Sequence, residues 1–526
     1  MFAQFYQNII IKNPKSVFVF LIIALLSFGY YSKDFRLDAS SDTLLIEGDP
    51  DLEYLREVTQ RYGSKEFLIL TYSPNDGMIT DSSINNLLSL KYKIQSLDWV
   101  HSVITLLDIP LLSNSEAPLQ ERLKNFKTLK DDDVDKKRGF KEILDSPVFR
   151  NFVISEDGNT SGIIVYIKSN KLENLKNKTK DELESYKDKL KKKNHENIFQ
   201  IREIIKSYDN IGKIHLGGIP MIADDMMSFI KSDIIVFGLG VLLFIICTLW
   251  FIFRKIIWII IPISSCFFSV IIMMGLLGLL GWKVTVISSN FIALMLILTM
   301  AMNIHMSTRF LQLKENNPNE DIFSLIILTT KKMFWPIFYT VLTTVIAFLS
   351  LIFSGIKPII DFGWMMTFGL ITSFIITFTL LPTLINFMPK ENISLNKYQD
   401  SKITSFFAKL SQNNRVSIFA ITGAVIILSI IGISRLEVEN SFINYFSKDT
   451  EIYQGMKLID EKLGGTTPLE IILKFPKKEI PKNEDDEFED WEDENNEDEE
   501  KYWFTKDKID KISSVHNYLD NLPQVG

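Results

Sequence analysis

The chain of 526 residues is too long for one small domain, and its hydrophobic content of 47% is high for a water-soluble protein. We therefore expect a membrane protein. The net charge of −7 comes largely from one segment, since thirteen of the seventeen residues 484–500 are Asp or Glu. No basic domain or nucleic-acid-reading motif is present, which argues against nucleic-acid binding. Both cysteines, Cys247 and Cys266, lie in apolar runs, so a disulfide framework and a cysteine zinc site are excluded.

The first apolar run, residues 16–31, follows Lys12 and Lys15, an arrangement shared by signal peptides and start-transfer helices. No small-residue cleavage site follows it, and Tyr30 and Tyr31 are typical of a membrane interface. We interpret this run as an uncleaved span. Six further runs are long enough to cross a bilayer, which predicts seven spans. They cover residues 234–253, 256–281, 285–308, 333–356, 359–388 and 416–434.

Lysines and arginines in the short connections set the orientation. Most of them precede the first span or follow residues 253, 308 and 388, whereas the opposite short loops offer only Lys283 and Lys357. By the positive-inside rule, the amino terminus is cytoplasmic. The two long polar regions then both lie on the far side of the membrane, as an odd number of spans requires.

The sequence divides into six parts. They are a cytoplasmic amino terminus with the first span (1–32), a first extracytoplasmic domain (33–233), a five-span bundle (234–388), a cytoplasmic linker (389–415), a seventh span (416–434) and a partial second extracytoplasmic domain (435–526). Within the first outer domain, periodicity predicts strands at 66–72 and 162–167 and helices at 81–97 and 171–206.

The region after the seventh span repeats the region after the first. Residues 435–465 parallel 36–63, and residues 505–525 match the spacing of 80–100, with a strand-like run between the matched parts in each copy. Because the second copy stops at Gly526, we expect that the chain is truncated and that more spans follow, as in transporters built from parallel repeats.

The acidic run 484–500 falls between the strand and the helix of this second copy, where the first copy has only a turn. Low hydrophobicity and high charge are typical of a disordered, solvated segment. We expect such a loop here, with a calcium site as the alternative.

Four short motifs lie at residues 38–50, 217–226, 340–363 and 380–384. Each is a weak signal by itself, but their order and spacing along the chain are specific. With the repeat, they resemble the RND superfamily, specifically its MMPL/Patched-like branch of exporters with a sterol-sensing-domain-like span bundle. The resemblance implies a polytopic α-helical membrane protein with α+β, ferredoxin-like extracytoplasmic porter domains. It also implies proton-driven movement of lipids or other hydrophobic molecules across a bacterial inner membrane.

The fourth span, residues 285–308, carries Asn303 and His305 near its basic end, and polar groups persist in hydrocarbon only where they face protein or water. The resembling family places one or two aspartates about a turn before a histidine, as its expected proton carriers. Here Ala301 and Met302 stand in their place, so the span holds no carboxylate. Histidine titrates near neutral pH, whereas asparagine does not. A modified proton relay and a purely structural pair of hydrogen-bonding side chains both remain open.

Two further features complete the candidate relay or transport path. Thr340, Thr343 and Thr344 form one hydroxyl-bearing face in the fifth span, which suits close helix contact or a polar path. Asp361 stands at the start of the sixth span. We expect it to be an N-cap or first-turn acid, with a direct transport role as the alternative.

Two functional classes follow: an RND-type exporter, or a lipid- or sterol-sensing membrane receptor or scaffold without transport. The sequence has no phosphate-binding glycine loop, nucleophile elbow or zinc-ligand spacing. We therefore expect neither an enzyme nor a cofactor. The expected partners are a lipid or hydrophobic small-molecule substrate and the membrane, and a homo-oligomer is compatible with the sequence.

Overall fold

The computed structural model describes residues 6–38, 50–62, 66–112, 126–168, 180–388, 402–437, 442–465, 471–475 and 505–522. The chain forms two compact units. We call Met1–Ser64 with Ile222–Asn440 the span unit, and Lys65–Met221 with Ser441–Gly526 the sheet unit. The acidic run 484–500 lies outside the described residues.

The helices and strands are numbered in chain order. The helices are α1 (Pro14–Tyr31), α2 (Pro50–Tyr62), α3 (Asp81–Gln95), α4 (Lys136–Asp145), α5 (Lys180–Lys206), α6 (Ile219–Phe253), α7 (Ile257–Leu280), α8 (Phe291–Asn316), α9 (Ile322–Ser350), α10 (Lys357–Asn386), α11 (Lys402–Asn413), α12 (Arg415–Ile433), α13 (Glu451–Lys462) and α14 (Lys506–Asp520). The strands are β1 (Arg36–Leu37), β2 (Phe67–Pro74), β3 (Val100–Ile104), β4 (Ser161–Ile167), β5 (Gly212–Gly217) and β6 (Lys283–Val284).

Seven of the described helices, α1, α6 to α10 and α12, are long and apolar enough to cross a membrane. They coincide with the seven predicted runs. Two of them begin well before their apolar run, α6 at Ile219 and α9 at Ile322, because hydropathy marks only the part of a helix that is apolar. The chain is thus a polytopic helical membrane protein.

The interior of the span unit is built from α7, α8 and α10. At least half of the apolar stretch of each is buried, against 11% or less in the other four spans. Large side chains such as Phe291, Phe310 and Leu381 are fully buried there. No residue of α12 is buried. The helix that carries Asn303, α8, is therefore a central helix of the bundle.

Glycines of α7 allow α1 to pack closely against it. A Cβ atom at Gly275 would stand 2.0 Å from the Phe28 carbonyl oxygen, and one at Gly278 would stand 2.1 Å from the Tyr31 carbonyl oxygen. Small residues permit such approach between membrane helices. This packing supports the interpretation of the first apolar run as a span of the mature protein.

A proline in α10 creates a contact with the start of the chain. Pro382 has no N–H, so the Phe378 carbonyl lacks its usual helical donor. The Tyr6 hydroxyl donates to this carbonyl at 2.6 Å, and Tyr6 is buried. The amino-terminal turn Gln7–Ile11 is held nearby, since the Asn386 amide donates to the Ile11 carbonyl at 3.4 Å.

The sheet unit contains four strands in the order β3-β4-β2-β5, and all neighbours are antiparallel. Its elements follow one another as β2, α3, β3, α4, β4, α5, β5. The predicted strands and helices of the first outer domain are confirmed as β2, β4, α3 and α5. Their core includes the fully buried Leu68, Leu70, Ile163 and Val165.

Helix α13 belongs by sequence to the second copy of the repeat, yet it packs on β5 of this sheet. Gly455 makes the approach possible, since a Cβ atom there would stand 2.6 Å from the Leu216 carbonyl oxygen. Two ion pairs flank the contact: Arg202 with Glu451 at 2.9 Å, and Lys462 with Asp157 at 2.8 Å.

The rest of the second copy is only partly described. The predicted helix after residue 505 is confirmed as α14. The predicted strand is not seen in residues 471–475, which is the part of it that the structure describes. A strand exists only where a neighbour pairs with its backbone, and the described residues 471–475 have no such pairing.

Candidate functional site

Asn303 lies in the interior of the span unit. It is fully buried, and within the described part of the chain neither its amide nitrogen nor its amide oxygen makes a hydrogen bond of ordinary geometry, although the Cys266 thiol of α7 interacts with its side chain. A buried polar group without a partner typically costs about 1–3 kcal/mol. Because Cys266 lies on α7 and Asn303 on α8, a structural role between helices stays a prediction for Asn303 beside the modified relay.

Other fully buried polar side chains lie on the three central helices, and we call this set, together with Asn303, the buried polar layer. Each member is 1% exposed or less. The layer comprises Ser265 and Ser269 of α7, Thr299, Asn303 and Ser307 of α8, and Ser373 and Thr377 of α10.

Only part of this layer is satisfied internally. The Thr299 hydroxyl donates to the Ser373 hydroxyl at 2.7 Å, which ties α8 to α10. The thiol of Cys266 donates to the Leu296 carbonyl at 3.7 Å, which ties α7 to α8. The side-chain oxygens of Ser265, Ser307 and Thr377 have no partner among the described residues.

The chemistry of the layer follows from its composition. Hydroxyl and amide groups donate and accept hydrogen bonds but carry no charge at neutral pH. With no carboxylate among its members, the layer cannot store a proton as an intramembrane aspartate would. Its hydroxyl groups without partners among the described residues can still form hydrogen bonds with water or another small polar molecule, which typically makes two to four such bonds.

His305 lies elsewhere. Two residues beyond Asn303, it is turned about 200° around α8 and is exposed. It lines a cleft of about 440 Å³ with Thr308, Arg309 and Gln312 of α8 and with Lys332 and Met333 of α9. The structure thus places the two residues on different sides of the same helix.

The threonine face of α9 is not part of the buried polar layer either. Thr340 and Thr343 are exposed, and Thr344 is half-buried. Their hydroxyls donate to carbonyls of their own helix, namely to Pro336 at 2.9 Å, Tyr339 at 2.9 Å and Thr340 at 2.7 Å, respectively. Such bonds satisfy the hydroxyl locally and leave it no need of an external partner.

Asp361 is distant from the layer along its helix. Helix α10 begins at Lys357, so Asp361 lies just beyond the first turn and not at the N-cap position. It precedes Ser373 by twelve residues, which is about 18 Å of helix. The structure therefore does not bring Asp361 to Asn303.

Sequence reasoning named Asn303 but missed the other members of the layer. A signal for them exists: the polar residues recur at intervals of four in each helix, as in Ser265 and Ser269 or Ser373 and Thr377. This spacing places them on one helical face. Among the described residues, no group of His, Cys, Asp or Glu could hold a metal ion.

Comparison with known proteins identifies a family. The sequence model of the MMPL family matches residues 112–402, more than half of the chain, including α6 to α10. No curated protein matches the sequence.

Proposed function

The chain belongs to the MMPL family of the RND superfamily, and from this we propose that it is a membrane transporter of lipids or other hydrophobic molecules. The family match carries the proposal, because it extends over five of the seven apolar helices. These include all three central helices of the bundle.

We propose further that the sheet unit is an extracytoplasmic porter domain of ferredoxin-like type. Its order of elements supports this, since a helix separates β2 from β3 and another separates β4 from β5, as in a split βαβ fold. The antiparallel order β3-β4-β2-β5 agrees with that topology. The distribution of basic residues supports a cytoplasmic amino terminus, and we place the protein in a bacterial inner membrane.

For the coupling of transport to protons, we propose a modified relay. His305 exchanges protons at the basic end of α8, and the buried polar layer extends a hydrogen-bonded path into the bundle. The support is the exposure of His305 together with the unfilled hydrogen-bonding capacity of Ser265, Ser307 and Thr377. Thr340, Thr343, Thr344 and Asp361 lie apart from the layer, so we assign them to the transport path.

Reconstitution tests the proposal. In proteoliposomes that contain the purified protein, transfer of a fluorescent phospholipid should accelerate when a pH gradient is imposed. His305→Gln retains hydrogen bonding but does not titrate, so it should lose most of the acceleration. His101→Ala, at an exposed position of β3, is the control and should behave like the wild type. Lipid binding without gradient-dependent transfer would instead favour a receptor.

A further inference from the structure

The cleft between α8 and α9 has features that the proposed transport function does not use. We call it the basic cleft; it is lined by His305, Thr308, Arg309, Gln312, Lys332 and Met333. Its volume of about 440 Å³ is sufficient for a small polar group.

The basic cleft concentrates positive charge. Within the described part of the chain, no carboxylate forms an ion pair with Arg309 or Lys332. One guanidinium nitrogen of Arg309 donates to the Gln312 side-chain oxygen at 3.2 Å, which orients the arginine without neutralising it. The cleft therefore offers two cations, together with the side-chain donors of His305 and Gln312, to an anion.

The position of the basic cleft along the membrane normal follows from the residues around it. Lys332 directly precedes the apolar run of α9, and Arg309 directly follows that of α8. Beyond Lys332, an exposed face of α9 is first aromatic, with Trp335 and Tyr339, and then aliphatic, with Leu342 and Ile346. Aromatic residues of this kind are enriched at membrane interfaces. The cations thus lie at headgroup level.

The residues of that exposed face of α9 are spaced so that the face continues directly from the basic cleft. Positions 332, 335, 339, 342 and 346 alternate steps of three and four, so they share one side of α9. The four apolar members are 40–58% exposed. On α8, the exposed Ile297 and Ala301 likewise precede His305. A polar cleft is therefore followed by an apolar surface that points toward the bilayer interior.

The order of basic residues, aromatic rings and aliphatic surface along α9 matches the order of headgroup and acyl chains in a phospholipid. Arginine and lysine bind phosphate by charge-assisted hydrogen bonds, and basic pockets between membrane helices on the cytoplasmic side suit anionic headgroups. We propose that the basic cleft binds the headgroup of an anionic phospholipid, with its acyl chains along the exposed face of α9. The site does not depend on transport.

Native mass spectrometry of the purified protein can test this site. Dioleoyl-phosphatidylglycerol should bind the wild type more tightly than dioleoyl-phosphatidylcholine. Each basic residue near such a surface contributes about 1 kcal/mol, or about fivefold in affinity, so R309Q/K332Q should weaken phosphatidylglycerol binding about twenty- to thirtyfold. Binding of phosphatidylcholine should change little.

The control variant K331Q/K409Q removes two exposed cations that do not line the cleft. It should keep the preference for phosphatidylglycerol. The proposal is overturned if the control loses as much affinity as R309Q/K332Q, if the wild type does not distinguish the two lipids, or if inorganic phosphate alone displaces the lipid. Thermal unfolding in phosphatidylcholine confirms that both variants are folded, and the readout does not require transport.

Discussion

Among single residues, Asn303 has both polar side-chain atoms buried without a hydrogen bond of ordinary geometry in the described part of the chain. A buried amide that is poorly hydrogen-bonded lowers stability, and a residue that lowers stability is often kept for function. In our account, Asn303 keeps a polar path open in the centre of the bundle. Stability and transport should therefore respond in opposite directions when the amide is removed.

Asn303→Leu should raise the free energy of unfolding by about 1–2 kcal/mol, because a poorly hydrogen-bonded buried amide is replaced by an apolar side chain of similar size. Gradient-driven lipid transfer should fall at least tenfold. Thermal unfolding in detergent and transfer in proteoliposomes measure the two effects. Thr248→Val in α6 serves as the control, since that hydroxyl donates to the Phe244 carbonyl of its own helix at 2.8 Å. Unchanged transfer in Asn303→Leu would exclude the layer from the relay.

In the sheet unit, Asp108 is a charged group with several partners. Burial opposes its ionisation, but hydrogen bonds from Lys130, Lys91 and Thr105 prevail and hold the pKa of Asp108 below its usual value. Both lysine nitrogens lie 2.5 Å from the same carboxylate oxygen. A lowered pKa in the folded state means that the ion stabilises the fold above about pH 4 and loses that effect as the pH falls further.

Asp108→Asn should therefore reduce the free energy of unfolding by about 1–3 kcal/mol at pH 7, since charge-assisted hydrogen bonds are lost. The difference from the wild type should shrink between pH 4 and pH 2. Thermal unfolding followed by near-UV circular dichroism measures both. Asp133→Asn is the matched control, because Asp133 forms its ion pair with Lys127 at the exposed surface and should contribute little. A difference that is independent of pH would contradict this account.

The sequence identifies some of these residues and not others, for a physical reason. Asn303 and His305 can be identified from the sequence because polar groups are rare in an apolar run. The structure places them on different sides of α8, and the neighbouring helices determine which of these sides is buried. Ser265 and Thr377 were missed because serine and threonine are common in membrane helices, where they can bond to their own backbone.

At the scale of elements, the contact between α1 and α7 depends on glycine. Gly275→Ala would force a methyl group against the Phe28 carbonyl, where a Cβ atom would stand only 2.0 Å from the oxygen. The helices must separate, and overpacking of this kind costs about 1–3 kcal/mol. A lower thermal unfolding temperature in detergent is the expected result. Gly238→Ala in α6 is the control, because nothing lies within 4 Å of its added Cβ atom. Equal stability of the two variants would contradict the packing.

A second glycine controls the docking of α13 on β5. Gly455→Ala would place a methyl group 2.6 Å from the Leu216 carbonyl oxygen, so α13 should loosen. Hydrogen–deuterium exchange in α13 and β5 should then become at least tenfold faster, while exchange in β3 stays unchanged. Gly423→Ala, on the exposed α12, should leave exchange in α13 and β5 as it is. Unchanged exchange in the Gly455 variant would show that the contact is not tight.

A helix or strand could be predicted where its own segment of the sequence is sufficient to determine it. The seven spans follow from the length of their apolar runs, and α3 follows from its spacing and from Thr80, whose side chain accepts a hydrogen bond from the Ser83 N–H as an N-cap. The position of α13 was not predictable, because the repeat alone assigns it to a second domain. Its contact with β5 depends on Gly455 and on ion pairs between residues far apart in sequence.

At the scale of the whole molecule, the family and the class of fold could be inferred from the order of motifs and the hydropathy. The coupling mechanism could not, because Ala301 and Met302 occupy the positions where related sequences are expected to carry acids. We therefore propose, as the central claim, that a bundle whose central layer is polar but uncharged still couples lipid movement to a proton gradient.

Lipid transfer in proteoliposomes under pH gradients of both polarities tests this claim most directly. We predict that one polarity accelerates transfer of a fluorescent phospholipid several-fold, and that a protonophore returns the rate to its value without a gradient. The claim is contradicted if the rate of phospholipid transfer is the same under either gradient, without a gradient and with the protonophore.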